Sequence, residues 1–157
     1  MKKILMSVAV AAIGIAAFSG CKKSDSSSSS YTMSATVTKS GSASSFSASG
    51  ANFVIAVDSA GIMQVDGSET SGSTAVSSFL LELTSYTGPG TYSLNSNAVS
   101  IAAYYTFSPT YTVTAFAYGQ LVITSVSGET VSGTFNGTLT DSTVITNGKF
   151  TASGRGF

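Results

Sequence analysis

Residues 31–38 read Tyr-Thr-Met-Ser-Ala-Thr-Val-Thr, a strict alternation of apolar and polar side chains. A period of two is typical of a β-strand that buries one face and exposes the other to water. The next four residues, Lys39-Ser-Gly-Ser42, are turn formers. The stretch predicts a half-buried strand that ends in a tight turn. This pattern decides the fold because it recurs as far as the C-terminus.

The rest of the chain repeats short apolar segments between turn residues. We predict about nine to eleven short strands and no helix after the N-terminal segment. The strands are predicted around residues 46–48, 53–57, 62–66, 76–84, 92–94, 98–107, 111–118, 119–126, 131–139, 143–145 and 149–152. Turns are predicted at Asp58–Gly61, Gly88–Gly90 and Ser127–Glu129, a hairpin or bulge at Asn147–Gly148, and a polar loop over 66–75. The pattern predicts an all-β domain, either a single antiparallel β-sandwich or an open barrel.

The N-terminus has the three-part layout of a secretory signal. Lys2-Lys3 precedes an apolar segment over residues 4–18, and the small residues Ser19-Gly20 follow it. The apolar segment has about 15 residues of ~1.5 Å each, which is shorter than the ~30 Å hydrocarbon core of a bilayer. We therefore predict a cleaved signal helix over residues 1–20 rather than a mature transmembrane helix.

Cys21 follows this segment and is the one cysteine of the chain. Ser19-Gly20-Cys21 resembles the lipobox of bacterial lipoproteins, and the resemblance implies a diacylglycerol on the Cys21 thiol, usually with an acylated amino group. The alternative is an ordinary secretory peptide with an incidental cysteine. After the lipidated Cys21, the Ser-rich residues 22–30 predict a flexible linker with a reach of roughly 15–18 Å. We expect the protein to be lipid-anchored to the cell envelope, on the outer membrane. Both the periplasmic and the outer surface of that membrane remain open as the side on which it lies.

Residues 31–157 suit one domain that is poor in charge. Three basic residues stand against six acidic ones, a net charge of −3: Lys39, Lys149 and Arg155 against Asp58, Asp66, Glu69, Glu82, Glu129 and Asp141. Nucleic-acid binding is disfavoured, because phosphate contacts need clustered Lys and Arg. The chain has no histidine, so Ser-His-Asp and Cys-His catalysis and imidazole metal sites are excluded. No cofactor and no catalytic residue is predicted.

Glu82 is the acidic residue that interrupts an apolar strand, Phe79–Leu83. It has two interpretations: an outward residue on the wet face of a sheet, or a carboxyl in a cavity with a raised pKa. The second interpretation would make Glu82 and a turn acid the pair of a carboxylate-dependent hydrolase. Asp66 and Glu69 offer oxygen ligands for Ca²⁺, but their spacing fits no known calcium loop, and no metal site is predicted.

Aromatic residues concentrate in the second half of the domain. The set is Tyr104, Tyr105, Phe107, Tyr111, Phe116 and Tyr118. A tyrosine combines an apolar ring with a hydroxyl, which suits sugars or amphipathic ligands. Adjacent Tyr104 and Tyr105 must point to opposite faces of a strand. We interpret this set, above all its tyrosines and Phe116, as a candidate surface for a glycan, a small amphipathic ligand or an envelope protein, with core packing as the alternative.

Two short segments, Asp58-Ser-Ala60 and Asp141-Ser-Thr143, resemble the Asp-Ser/Thr-apolar signal for O-glycosylation in Bacteroidota. Both fall in predicted turns, where a glycan can be accommodated. The resemblance implies Ser59 and Ser142 as acceptors.

The C-terminal half resembles small, uncharacterised Bacteroidota outer-membrane lipoproteins. The shared segments are Gly90-Thr-Tyr-Ser-Leu94, Gly119-Gln-Leu-Val-Ile-Thr124, Val131-Ser-Gly-Thr-Phe135 and Val144-Ile-Thr-Asn-Gly-Lys-Phe150. The resemblance covers about residues 88–152 and implies an all-β fold and an envelope location. We expect a membrane-anchored, non-catalytic β-domain that binds a ligand or partner or acts structurally. The alternative is the carboxylate-dependent hydrolase.

Overall fold

The computed structural model describes residues 31–50, 54–59, 61–95, 100–107 and 111–155, and these residues form an all-β fold. The ten strands are β1 Thr32–Lys39, β2 Ser42–Ser49, β3 Val54–Ser59, β4 Ile62–Ser71, β5 Thr74–Leu83, β6 Gly90–Asn95, β7 Ser100–Thr106, β8 Thr112–Ser127, β9 Thr130–Leu139 and β10 Val144–Arg155. The all-β prediction is confirmed. The predicted signal helix, Cys21 and the linker lie outside the described residues. Within those residues no helix is long and apolar enough to cross a bilayer.

Seven strands close into a barrel, in the order β10-β3-β4-β5-β7-β8-β9 and back to β10. The closing pair joins residues 153–155 of β10 to residues 55–57 of β3, and it is parallel, whereas the other strand pairs are antiparallel. The structure therefore resolves the choice between sandwich and barrel and corrects two details. The ring of strands is closed rather than open, and one of its pairs is parallel.

Two long strands carry the strands outside the ring. β10 pairs with β9 along one edge, while its other edge pairs first with β1 and then with β3. β8 likewise pairs with β9 along one edge, while its other edge pairs with β7 and then with β6. The β1–β2 hairpin and β6 therefore extend the barrel wall beyond the seven strands.

The alternation of residues 31–38 is realised in β1, where Met33, Ala35 and Val37 are buried. Phe79 of β5 lies at the centre of the core. Its ring contacts four others, those of Phe46, Tyr104, Phe116 and Phe135. The interior at this level is filled with aromatic side chains contributed by five strands.

The tight turns form largely where the sequence predicts them. Ser40 and Gly41 link β1 to β2 with positive φ angles of 50° and 81°, and Gly128 links β8 to β9 with a φ of 56°. At the β3–β4 hairpin the strands extend further than predicted. Asp58 and Ser59 pair with Met63 and Ile62 instead of forming the turn.

The predicted polar loop over residues 66–75 is wrong, because β4 and β5 extend through it and leave a turn at residues 72–73. Ser68 pairs with Ser78 in the ladder. The Ser77 hydroxyl donates to the Glu69 carboxylate at 2.7 Å. The sequence lacks an apolar alternation here. Cross-strand pairs of polar side chains stabilise the two strands instead.

Asn147–Gly148 forms a bulge inside the continuous strand β10 rather than a hairpin. The register with β9 shifts between Ile145 and Gly148, and Asn147 has a φ of 54°. Gly148 lies directly beneath the ring of Phe135, because a Cβ added there would be 2.7 Å from that ring and 2.2 Å from a backbone oxygen. The bulge therefore allows β10 to bend around the aromatic core.

One end of the barrel gathers the β1–β2 turn, the end of β7, the start of β8 and the β9–β10 turn. We call it the distal end. The chain enters β1 at the opposite end, where Thr32 lies between Ser49 and Thr151. The eight residues of β1, at ~3.3 Å per residue, separate the two ends by roughly 26 Å.

Candidate functional site

The end of β7 and the start of β8 present two different faces at the distal end of the barrel. Tyr104 points inward, with its ring centroid 4.7 Å from that of Phe79. Tyr105 packs instead with Phe107, at a centroid distance of 6.4 Å and an interplanar angle of 11°. The prediction that Tyr104 and Tyr105 point to opposite faces is confirmed.

The outer face carries a row that we call the aromatic strip: the half-buried Tyr105 and the exposed Phe107, Tyr111 and Val113. The rings of Phe107 and Tyr111 have centroids 5.8 Å apart, and Val113 pairs with Tyr105 across the strands. Tyr111 is 61% exposed and Val113 51%. The strip is an amphipathic surface built by alternate residues of one strand pair.

The other aromatic residues of the predicted surface lie elsewhere. Phe116 is 1% exposed and belongs to the core, so its assignment to a ligand surface is corrected. Tyr118 is exposed, but it lies further along β8, where it pairs with Asn95 and Thr138. The register shift between Phe116 and Tyr118 explains why two residues of equal strand parity end on different sides. Of the predicted set, the structure brings together Tyr105, Phe107 and Tyr111.

Carboxyl and hydroxyl groups adjoin the strip on β4 and β5. Ser78 pairs with Tyr105 in the ladder, and Ser68 pairs with Ser78. Asp66 is half-buried beside them. Burial raises the pKa of the Asp66 carboxyl above its usual value of 3.8, although the Ser68 and Ser78 hydroxyls donate to it and oppose the shift.

The Tyr105 hydroxyl responds to the same surroundings. Burial raises its pKa, and nearby Tyr111, Asp66 and Glu82 raise it further. The hydroxyl therefore keeps its proton at neutral pH and can donate a hydrogen bond to a ligand. It is the polar tip of an otherwise apolar ring at the centre of the strip.

Glu82 lies on the same outer face, because it alternates along β5 with Leu80 and Ser78. It is half-buried there. Asp66 pairs with Leu80, and Gln64 pairs with Glu82. Asp66 and Glu82 are thus diagonal neighbours on adjacent strands, a relationship that typically places Cβ atoms up to about 7–8 Å apart. Asp66 is one of the acids that the sequence places in or beside a turn, but it lies within strand β4.

Asp66 and Glu69 do not share a site. Asp66 lies on the outer face, whereas Glu69 accepts from the buried Ser77. Among the described residues, no three His, Cys, Asp or Glu side chains gather closely enough to hold a metal ion.

The two predicted glycosylation serines lie in two different hairpins, one in a turn and one at the end of a strand. Ser142 is exposed in the β9–β10 turn with a φ of 67°. Ser59 ends β3, and its side chain lies outside the described part of the chain. Modification of either serine stays a prediction.

A comparison with protein families matches residues 44–153 to a family described as a domain of unknown function, DUF6252. The match spans most of the described barrel, from β2 to β10. No curated protein and no solved structure matches the chain. The function must therefore be argued from the surface itself.

Proposed function

Because the chain belongs to the DUF6252 family of domains of unknown function, we propose its role from its own residues: a lipid-anchored envelope protein whose barrel binds an oligosaccharide at the aromatic strip. The observation that carries the proposal is the near-parallel pair of Tyr105 and Phe107, continued by the exposed ring of Tyr111. The half-buried Asp66 carboxyl lies beside this row.

The anchor is Cys21, with its lipid in the outer membrane and residues 22–30 as the tether. Two or three acyl chains hold a protein stably, whereas one chain binds only marginally. The chain enters β1 at the end opposite to the aromatic strip. A protein tethered in this way presents the strip away from the bilayer, where it can meet a soluble or cell-wall glycan.

The strip suits a sugar better than a phosphate-bearing ligand. The C–H faces of a pyranose ring are apolar and flat, and they stack on tyrosine and phenylalanine rings. Sugar hydroxyls can donate to the Asp66 carboxylate and exchange hydrogen bonds with the hydroxyls of Ser68 and Tyr105. The charged side chains that act on Tyr105 are the acids Asp66 and Glu82, which repel anionic headgroups and nucleic acids.

A glycan array followed by calorimetric titration of the best ligand tests this proposal on the full-length protein. Tyr105→Ala and Tyr111→Ala should each weaken binding at least tenfold, because each removes one stacking ring. Tyr118→Ala is the matched control, since Tyr118 is 63% exposed but lies outside the strip. Equal losses in all three variants, or no glycan bound at all, would refute the proposal.

A second candidate is hydrolysis of the bound sugar by Asp66 and Glu82. The raised pKa of Asp66 suits a general acid, and Glu82 would act as base or nucleophile on the same face. Incubation of the glycan with the protein, followed by mass spectrometry of the products, distinguishes the two functions. Hydrolysis predicts shortened chains that disappear in Glu82→Gln while binding remains. Intact glycan leaves binding as the function.

A further inference from the structure

The inner face of the distal end holds a separate cavity of about 240 Å³, which we call the cup. Its apolar wall consists of Val37, the ring of Tyr104 and Leu139. These side chains come from β1, β7 and β9, so the cup lies at the distal end of the barrel interior. It lies behind the strand pair that carries the aromatic strip and shares no residue with that strip.

Threonine hydroxyls form the polar wall. The hydroxyls of Thr106 and Thr112 lie 2.5 Å apart across β7 and β8, and Thr114 and the buried Thr143 complete the wall. A hydroxyl both donates and accepts, so this wall can adapt to either kind of ligand atom.

A single ion pair lies at the rim of the cup. The Lys39 Nζ is 3.0 Å from Asp141 Oδ2. Asp141 is held in place, because its other carboxylate oxygen accepts from the Thr143 backbone N–H at 3.1 Å. Hydrogen bonds from Thr143 and Lys39 lower the pKa of Asp141 in spite of partial burial. The Lys39 side chain is 70% exposed, so it can turn away while Asp141 stays fixed.

The ion pair selects among ligand charges. A lone carboxylate would compete with Asp141 for Lys39 and would be repelled by Asp141. A lone ammonium would compete with Lys39 for Asp141 and would be repelled by Lys39. An uncharged ligand would gain little from either group. A zwitterion can place its carboxylate on Lys39 and its ammonium on Asp141, so that no charge loses its partner.

We propose that the cup binds a small zwitterion with an aliphatic substituent, namely a free α-amino acid such as leucine or valine. Its side chain contacts Val37, Tyr104 and Leu139, and its two charged groups replace the bond between Lys39 and Asp141. The size agrees: about 240 Å³ corresponds to roughly eight groups the size of a water molecule, at ~30 Å³ each. Leucine has a comparable number of heavy atoms.

NMR titration of the full-length protein with L-leucine, leucinamide and 4-methylpentanoate tests the proposal. Leucinamide keeps the ammonium and 4-methylpentanoate keeps the carboxylate, while both keep the aliphatic chain. Leucine should shift the amide signals of Thr106 and Thr143 in a saturable way. The two half-ligands should bind at least tenfold more weakly. Equal binding of the three compounds, or no saturable shift with leucine, would overturn the proposal.

Variants at the rim give an independent measurement. Lys39→Gln and Asp141→Asn should each weaken leucine binding at least tenfold, whereas Lys149→Gln, a lysine on β10 outside the cup, should not change it. Thermal unfolding of each variant checks that the barrel is intact. Thr138→Ala is a second control, because Thr138 lies on β9 but outside the cup. A variant with a fold defect would differ from the native protein in amide signals far from the cup as well. A rim variant that is folded and still binds leucine like the native protein contradicts the assignment.

Discussion

The ring of Phe46 meets the ring of Phe79 edge-on, with centroids 4.8 Å apart and an interplanar angle of 82°. Phe46 belongs to β2, which pairs in the sheet with β1 and lies outside the closed ring of strands. Phe79 belongs to β5, in the barrel wall. This contact fastens the β1–β2 hairpin to the barrel core, and the hairpin in turn carries Val37 and Lys39 to the cup.

Phe46→Ala should destabilise the whole domain. Phe46 is 2% exposed, and truncation of a buried phenylalanine typically lowers the free energy of unfolding by about 3–5 kcal/mol. Urea denaturation followed by circular dichroism measures this loss. Ser47→Ala, at the next position and exposed, should change stability by less than about 0.5 kcal/mol. Similar losses in the two variants would show that the ring contact does not fasten the hairpin.

Gly133→Ala should also destabilise the domain, although it adds only a methyl group. A Cβ at this position would be 2.3 Å from the Val122 carbonyl oxygen and 2.6 Å from the Phe150 ring, so both strands would have to move. Such overpacking typically costs about 1–3 kcal/mol. Gly90→Ala is the control, because a Cβ there would have its nearest neighbour at 3.8 Å. Chemical denaturation of both variants should separate them, and a Gly133→Ala variant as stable as Gly90→Ala would contradict the packing.

The sequence predicts the local part of this fold well. A period of two and the turn residues at Ser40–Gly41 and Ser127–Glu129 act over a few positions, so β1, β2, β8 and β9 are visible in the chain. Closure of the barrel is not local. It depends on the parallel contact between residues 55–57 and 153–155, which are distant in sequence, and on a change of partner along β10. No short pattern encodes such a contact.

The candidate site was predictable in part. Strand parity alone places Tyr105 and Phe107 on one face and Tyr104 on the other. Parity fails at Phe116 and Tyr118, because a bulge in the pairing of β8 with β9 intervenes. The proximity of Asp66 to the strip cannot be seen in the sequence, since a polar stretch without alternation predicts a loop. Its strands are held by ladder pairs and by the bond between Ser77 and Glu69.

Asp66→Asn should stabilise the protein at neutral pH. The folded state raises the pKa of Asp66 above its usual value of 3.8, so the folded protein binds this proton more tightly than the unfolded chain. Stability is therefore expected to fall as pH rises from about 4 through the raised pKa, and to stay lower above it. Urea denaturation of both proteins from pH 4 to 7 should show that the free energy of unfolding declines less with rising pH in the variant than in the native protein. An asparagine variant less stable than the native protein at pH 7 would contradict this account.

Cys21→Ser should release the protein from the membrane without unfolding its barrel. The lipobox-like Ser19-Gly20-Cys21 needs the thiol, because a serine hydroxyl cannot form the thioether to diacylglycerol. The first strand of the domain begins at Thr32, beyond the tether, so the thermal unfolding temperature of the domain should not change. Fractionation of a bacterial host that processes lipoproteins should find the native protein in the membrane pellet and the variant in the soluble fraction. Ser28→Ala, a change in the tether that leaves Cys21 intact, should stay in the pellet. A Cys21→Ser variant that remains in the membrane fraction would exclude the lipid anchor, while the aromatic strip and its glycan test would stand unchanged.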